Sequence, residues 1–175
     1  MARRVQLFIA TSLDQKIARR DGGIDWLFTD QDYGYDDFYA GVETLLMGRK
    51  TFDVCHSFGD WPYLGKRTIV FSRRPAPARL PPKVDWTSAD PVELVRASAA
   101  GHGGSLWLVG GESLTTALVR ADLVDDLVLS VHPIVLGRGI PLWDGDLGRT
   151  TRWSLARHEV FPSQLVQLWY ARARG

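Results

Sequence analysis

Cysteine is almost missing from this sequence: Cys55 is the only one in 175 residues. That excludes an internal disulfide framework and a multi-thiolate metal site. An excess of one charge is missing too. The 21 basic and 20 acidic side chains leave a net charge of +1, which gives no global reason to bind nucleic acid or an anionic membrane. The four histidines are scattered without metal-ligand spacing, so no metal is expected. No stretch approaches the ~20 apolar residues of a membrane span. The apolar run Val5–Ala10 is too short for a secretory core, and the charged residues Asp14, Lys16 and Arg19 come soon after it. These absences predict a soluble, cytoplasmic protein. Neither the Gly-x-Gly-x-x-Gly fingerprint nor the P-loop occurs. Nothing repeats at a fixed period, and the proline-rich stretch Arg73–Lys83 is too short to act as a linker between domains, so residues 1–175 read as one domain. The arginines near the ends, Arg3, Arg4, Arg172 and Arg174, are expected to be solvated.

What is present alternates. Val5–Thr11, Thr44–Met47, Arg67–Phe71, Val84–Thr87, Leu106–Val109 and Leu127–Val135 are short apolar runs of the buried-strand type. Helices are predicted over Asp30–Gly41, Arg49–His56, Pro91–Ala100 (with Asp90 as cap) and Glu112–Arg120. Gly34 counts against the first of these. Ser12–Ile24 reads as a long functional loop, and Trp153–Phe161 with Leu165–Ala171 as a closing antiparallel hairpin. Strands alternating with helices predict an α/β three-layer sandwich. Its mostly parallel sheet is covered on both faces and carries an antiparallel C-terminal pair. The late strands are apolar on both faces, which favours a homodimer.

Ligands of such sheets bind beyond the carboxyl ends of the strands. Three such ends carry suitable chemistry. Met47-Gly48-Arg49-Lys50-Thr51 and Val109-Gly110-Gly111-Glu112-Ser113 both pass from a buried strand through glycine straight into a helix. Free N–H groups and the helix dipole favour an anion there. Phe71-Ser72-Arg73-Arg74 offers a hydroxyl and two guanidiniums, which suit a phosphate monoester. Plain chain reversal and a solvated arginine pair are the bland alternatives for each turn alone. Together, at three core-strand ends, they point to a nucleotide. Trp26 and Trp61 lie in loops where they could stack on a planar ring. Trp86, Trp107, Trp153 and Trp169 read as core or interface, and Cys55 as a buried thiol in a helix. Gly111-Glu-Ser113-Leu-Thr115 approaches a hydrolase nucleophile elbow but lacks the final glycine.

Taken in order, Ser12-Leu-Asp-Gln-Lys-Ile-Ala-Arg, Asp21-Gly-Gly-Ile-Asp-Trp-Leu, Met47-Gly-Arg-Lys-Thr-Phe, Trp61-Pro-Tyr, Val70-Phe-Ser-Arg, Val109-Gly-Gly-Glu-Ser-Leu and Pro133-Ile-Val-Leu-Gly-Arg-Gly resemble the dihydrofolate reductase superfamily. The resemblance is greatest to its small bacterial branch related to the reductase (RibD C-terminal) domain of riboflavin biosynthesis. It implies a twisted sheet of about eight strands. It also implies an NADPH-dependent reductase of a C=N or C=O in a small pterin- or pyrimidine-like heterocycle, in a dimeric assembly. Carried over by position, Gly48, Arg49, Lys50 and Thr51 match the first nucleotide turn, and Ser72 and Arg73 the 2′-phosphate pocket. Gly110, Gly111, Glu112 and Ser113 match the pyrophosphate turn, and Ala10 and Ile17 the backbone positions that hold the nicotinamide amide.

The resemblance implies a carboxylate proton donor early in the helix before the Gly-Arg turn. Counting back from Gly48 gives Asp32, with Asp30 and Asp36 as competitors. Asp32, Tyr35, Asp36 and Tyr39 would share one face of that helix. Simple capping by these acids is the competing reading. Ser130 matches the hydroxyl that pairs with the acid. Lys66 stands where folate reductases fork an arginine onto the glutamate tail, Thr115 replaces a tyrosine near the nicotinamide, and Gln15 replaces a glycine. These departures argue against full-length folate. A non-catalytic nucleotide-binding module on the same fold is the alternative reading.

Overall fold

Short apolar runs form one central sheet in the computed structural model, which describes residues 2–173. The chain order is β1 (Val5–Thr11), β2 (Lys16–Ala18), α1 (Tyr35–Gly41), β3 (Val42–Gly48), α2 (Arg49–His56), β4 (Arg67–Phe71), β5 (Val84–Thr87) and α3 (Pro91–Ala100). It continues β6 (Ser105–Gly110), α4 (Glu112–Arg120), β7 (Asp126–Val131), β8 (Ile140–Pro141), β9 (Trp153–Val160) and β10 (Val166–Arg172). Eight strands pair in the order β5-β4-β3-β6-β1-β7-β10-β9, while β2 and β8 form a separate two-stranded sheet. Pairing is parallel from β5 through β7. β10 then runs antiparallel to both β7 and β9.

The sheet is apolar on both sides because helices cover both. On one face Val5, Leu7 and Ile9 pack with Leu46, Leu108 and the helical residues Val95, Leu114 and Leu118. On the other, Leu45, Met47 and Val70 pack with Phe52 and Cys55 of α2, and Phe8, Tyr35, Phe38 and Tyr39 close over them. Trp107 is the hub of that second core. Its ring meets Phe8, Phe38 and Tyr63 edge-on at 6.5, 5.4 and 5.5 Å, and its indole N–H donates to the Phe8 carbonyl.

Several boundaries differ from the sequence reading. The helix expected from Asp30 begins at Tyr35, because Tyr33 and Gly34 hold φ of 54° and 74°, which no helix tolerates. Before it, the Asp32 carboxylate accepts from the N–H groups of Gly34 and Asp36 at 3.3 and 3.2 Å. The strand expected to reach Val135 ends at Val131, since Pro133 has no N–H for the ladder. The loop over residues 12–24 contains β2. At its tip Gln15 adopts φ 57°, the left-handed state a glycine would take there without strain.

Arg3 and Arg172 are not solvated ends, whereas Arg4 is exposed as expected although it is paired. Arg3 pairs with Glu43 at 3.2 Å and donates to the Gly104 carbonyl. Arg4 forks onto Asp126, and Arg172 pairs with Asp122. Arg174 lies outside the described residues. Leu7 is fully buried in the middle of the sheet. Leu7→Ala is expected to cost about 2–5 kcal/mol, a large share of the ~5–15 kcal/mol typical of a domain, and to lower the urea midpoint accordingly. An unchanged midpoint would show that the sheet relaxes into the space.

Candidate functional site

Parallel pairing fixes where the three phosphate-type turns emerge. β3 lies between β4 and β6, and its Gly48 sits opposite Phe71 while Met47 sits opposite Gly110. The three strands therefore end almost level, at one edge of the sheet. The helices α2 and α4 start after Gly48 and Gly111 with no side chain capping either N-terminus. Their first N–H groups remain available for an anion.

The turns also press on each other. Gly110 and Gly111 hold φ of 135° and 100°, which exclude ordinary side chains. A Cβ on Gly111 would stand 3.3 Å from Thr51 Oγ1 and 3.8 Å from Gly48 Cα. This backbone cradle leaves a close-approach surface that a side chain would fill.

Two cavities meet there. One of about 670 Å³ is bounded by Gly48, Ser72, Arg73, Arg74 and Ser113 and reaches Asp90 at the start of α3. The other, of about 570 Å³, is mainly apolar, lined by Phe8, Leu27, Val54, Cys55, Phe58 and Tyr63. Ala10, Ile17 and Gly110 also face it. Arg49, Lys50, Thr51, Gly111 and Glu112 line both, so the two form one continuous cleft. Every residue expected to hold a dinucleotide thus lines this cleft.

Charge is graded along it. Arg73 and Arg74 are exposed and form no ion pair among the described residues. Arg49 pairs with Asp53 one turn along α2, and Lys50 stands 3.8 Å from Glu112. The Ser72 hydroxyl accepts from the Arg74 N–H at 3.0 Å and so shapes the turn that presents both guanidiniums. At the apolar end, the Tyr63 hydroxyl and the Cys55 thiol are 3.8 Å apart. Burial pushes both above their ordinary pKa values, so both stay protonated.

The substrate-side expectations fare differently. Asp32 and Asp36 are not buried, and neither lines the cleft. Trp26 and Trp61 are only 7% and 6% exposed and line neither cavity. Trp61 packs on Phe52 and Tyr63, and Trp26 on His132. Large indoles in loops are drawn into the core because their burial is worth more than their exposure. Tyr35 stacks on Tyr39 at 5.4 Å within the aromatic core, and burial there pushes its hydroxyl up to about 12. Lys66 donates to the Val42 carbonyl at 2.6 Å with its ammonium over the Tyr39 ring. Ser130 is buried and accepts from the Gln167 amide at 2.9 Å.

Sequence reasoning passed over three groups of residues. Tyr63 and Leu27 lie in segments that carry the resemblance but were given no role there, and Phe8 and Phe58 lie in none of those segments. Gln167 signals itself only as a polar residue inside an apolar strand, opposite Ser130 in the ladder. Asp14 accepts from Ser12 Oγ and from the N–H groups of Leu136 and Gly137 at 2.7, 3.0 and 2.9 Å, tying the β1–β2 loop to the turn after β7. The Ser12 hydroxyl chiefly, with those amides, holds its carboxyl below the ordinary range.

A model of the RibD C-terminal domain matches residues 63–167. The chain belongs to the RibD C-terminal domain family. It is 34% identical to the uncharacterized protein YwjB of Bacillus subtilis (strain 168), over 99% of this chain and 100% of that one. A crystal structure from Shewanella sp. PV-4, of a protein provisionally ascribed to riboflavin biosynthesis, superposes with a TM-score of 0.86 at 32% identity. That match covers 99% of this chain and 100% of the other. Dihydrofolate reductase from Enterococcus faecalis, solved with NADP(H) and RAB-propyl, shares the fold, with a TM-score of 0.71 at 18% identity over 98% and 97% of the two chains.

The cradle between Gly48 and Gly111 yields a direct test. If the cleft holds a dinucleotide, Gly111→Ala is expected to weaken NADP+ binding at least ~10-fold, the equivalent of about 1.4 kcal/mol, with the circular dichroism spectrum retained. Calorimetric titration showing unchanged affinity would mean that no ligand approaches the Gly111 backbone.

Proposed function

We propose that this chain is an NADPH-dependent reductase of a C=N or C=O bond in a small, neutral heterocycle of the pterin or pyrimidine kind. One observation carries the reading. A cationic phosphate-type cavity runs without interruption into an apolar, ring-sized cavity through residues that line both. Such a cleft suits a ligand that is phosphorylated at one end and planar at the other. The residues fit a dinucleotide: the N-termini of α2 and α4 for the pyrophosphate, Ser72, Arg73 and Arg74 for the 2′-phosphate, and Ala10 and Ile17 beside the nicotinamide.

NADPH, when bound there, supplies hydride. The chain's own residues do the rest. The apolar wall of Phe8, Leu27, Val54 and Phe58 excludes water from the ring face. Tyr63 and Cys55, held protonated by burial and hydrogen-bonded to each other, leave one proton free to donate to a ring oxygen or nitrogen that gains electron density. The carboxylates of Asp21 and Asp53, which line this cavity, are exposed. The proton that balances hydride addition therefore enters from water at that rim, rather than from Asp32. The separation of Asp32 and Asp36 from the cleft is also the one observation that favours a non-catalytic nucleotide-binding module. Oxidation of NADPH by a panel of pterins and aminopyrimidines separates the two readings. Reduced product supports the enzyme, and tight NADPH binding with no product from any of them supports the module.

The 2′-phosphate carries up to two negative charges near neutral pH, and Arg73 is free to meet them. A charge-assisted bond is worth ~1.5–3 kcal/mol, so NADPH is expected to bind roughly ten- to a hundredfold tighter than NADH. Arg73→Ala should remove most of that preference and leave NADH affinity alone. Equal affinities in the wild type would reject the assignment.

The proposed assembly is a homodimer. β9 is an edge strand of the sheet and leaves Leu155 and Val160 52% and 62% exposed. Light scattering is expected to give twice the 19.6 kDa chain mass at micromolar concentration; the single-chain mass alone would reject the dimer.

A further inference from the structure

His132 stands one residue beyond β7 and is only 3% exposed. Both ring nitrogens are occupied. The Phe28 backbone N–H points at Nε2 from 3.2 Å, and Nδ1 faces the Ser130 carbonyl at 3.3 Å. A backbone N–H can only donate and a carbonyl can only accept. One tautomer satisfies both: Nδ1 carries the proton and Nε2 presents its lone pair. The main chain of His132 is pinned as well, its N–H donating to the Thr11 carbonyl at 2.7 Å. The ring is therefore fixed to the sheet, and the loop is fixed to the ring.

That loop forms part of the cleft. Trp26 and Phe28 meet the imidazole edge-on at 5.1 and 4.8 Å, from either side of Leu27. Leu27 lines the apolar cavity, as does Ile24 a few residues earlier. We propose that His132 is a positioning residue that latches residues 24–28, one wall of the cleft, and that a proton on its Nε2 unlatches them. The protonated Nε2–H would face the Phe28 N–H, donor against donor, with no acceptor left for either.

The surroundings set the sign. The strands supply carbonyls only, from Ser130 of β7 and Thr11 of β1. From the loop, the Asp30 carboxylate acts on the ring and favours the imidazolium. Asp30 is itself held by the Tyr33 hydroxyl at 2.6 Å, and that hydroxyl also reaches Ser163. Burial outweighs these influences and holds His132 below its ordinary value. The ring is neutral at neutral pH, and an opened loop would protonate first. Closure is therefore complete above about pH 6.5 and weakens by up to about tenfold per unit as pH falls below it.

The latch is a property of the fold; its effect on turnover rests on the reductase reading. Hydrogen exchange of the whole chain separates the two, because it needs no substrate. The peptide spanning Phe28 is compared with a β1 peptide, at about pH 5.5 and about pH 7.5, after correction for intrinsic exchange. In the wild type, protection of the Phe28 segment relative to β1 is expected to fall about tenfold in acid. In His132→Gln, whose side-chain carbonyl still accepts but does not titrate, protection should persist at both values. Equal protection in wild type at both values, or an equal acid loss in His132→Gln or in β1 itself, would overturn the proposal. Nitrogen NMR of the wild-type histidine rings gives a second reading that needs no variant: a neutral His132 with its proton on Nε2 would refute the latch.

Discussion

The cofactor-binding reading of this chain depends on the parallel ladder that joins β4, β3 and β6. Backbone hydrogen bonds set Gly48 against Phe71 and Met47 against Gly110, so the strands end level and their turns leave the same edge. A slip of one residue would turn the core side chains of a strand to the opposite face. Such a slip would carry the exposed Glu43 into the buried place of Thr44, which makes it very costly. The apolar packing of the two faces therefore holds the phosphate turns in place, although Leu45, Leu46 and Met47 themselves line neither cavity.

The polar features around the cleft depend on the same rigidity. Two uncapped helix N-termini can be left open at one edge because tertiary packing, rather than capping, stabilises α2 and α4. The cost of placing Gly110 and Gly111 at positive φ is low for glycine and high for any other residue. The substrate side is built differently. It depends on loops tied down at a few points: Asp14 on the turn after β7, His132 under residues 24–28, and Tyr33 on Asp30 and Ser163.

This division explains what could be read in the sequence. The strands of the large sheet, the Asp90 cap and the three strand-end turns were legible, and the short β2 and β8 were not, because each of the former follows a local rule: an apolar run, a side chain three residues before an open N–H, a glycine between strand and helix. The start of α1 was not, because Tyr33 takes a left-handed conformation that only its context, packed on Phe161, makes worthwhile. The end of β7 needed more weight on Pro133. Trp26 and Trp61 looked like stacking platforms because loops are usually at the surface; here the loops fold back and bury them. The Ser130–Gln167 pair and the proposed His132 latch join residues far apart in the chain, and no local pattern marks the pairings themselves.

The central claim is that one dinucleotide spans both cavities, from the guanidinium of Arg73 to the wall formed by Phe8 and Tyr63. A crystal structure of the NADP+ complex tests this most directly. The account predicts the 2′-phosphate against Ser72 and Arg73, the pyrophosphate over Gly48 and Gly111, and the nicotinamide ring beside Ala10 and Ile17, inside the apolar cavity. A nicotinamide left in solvent, or a dinucleotide bound elsewhere on the sheet, would contradict it.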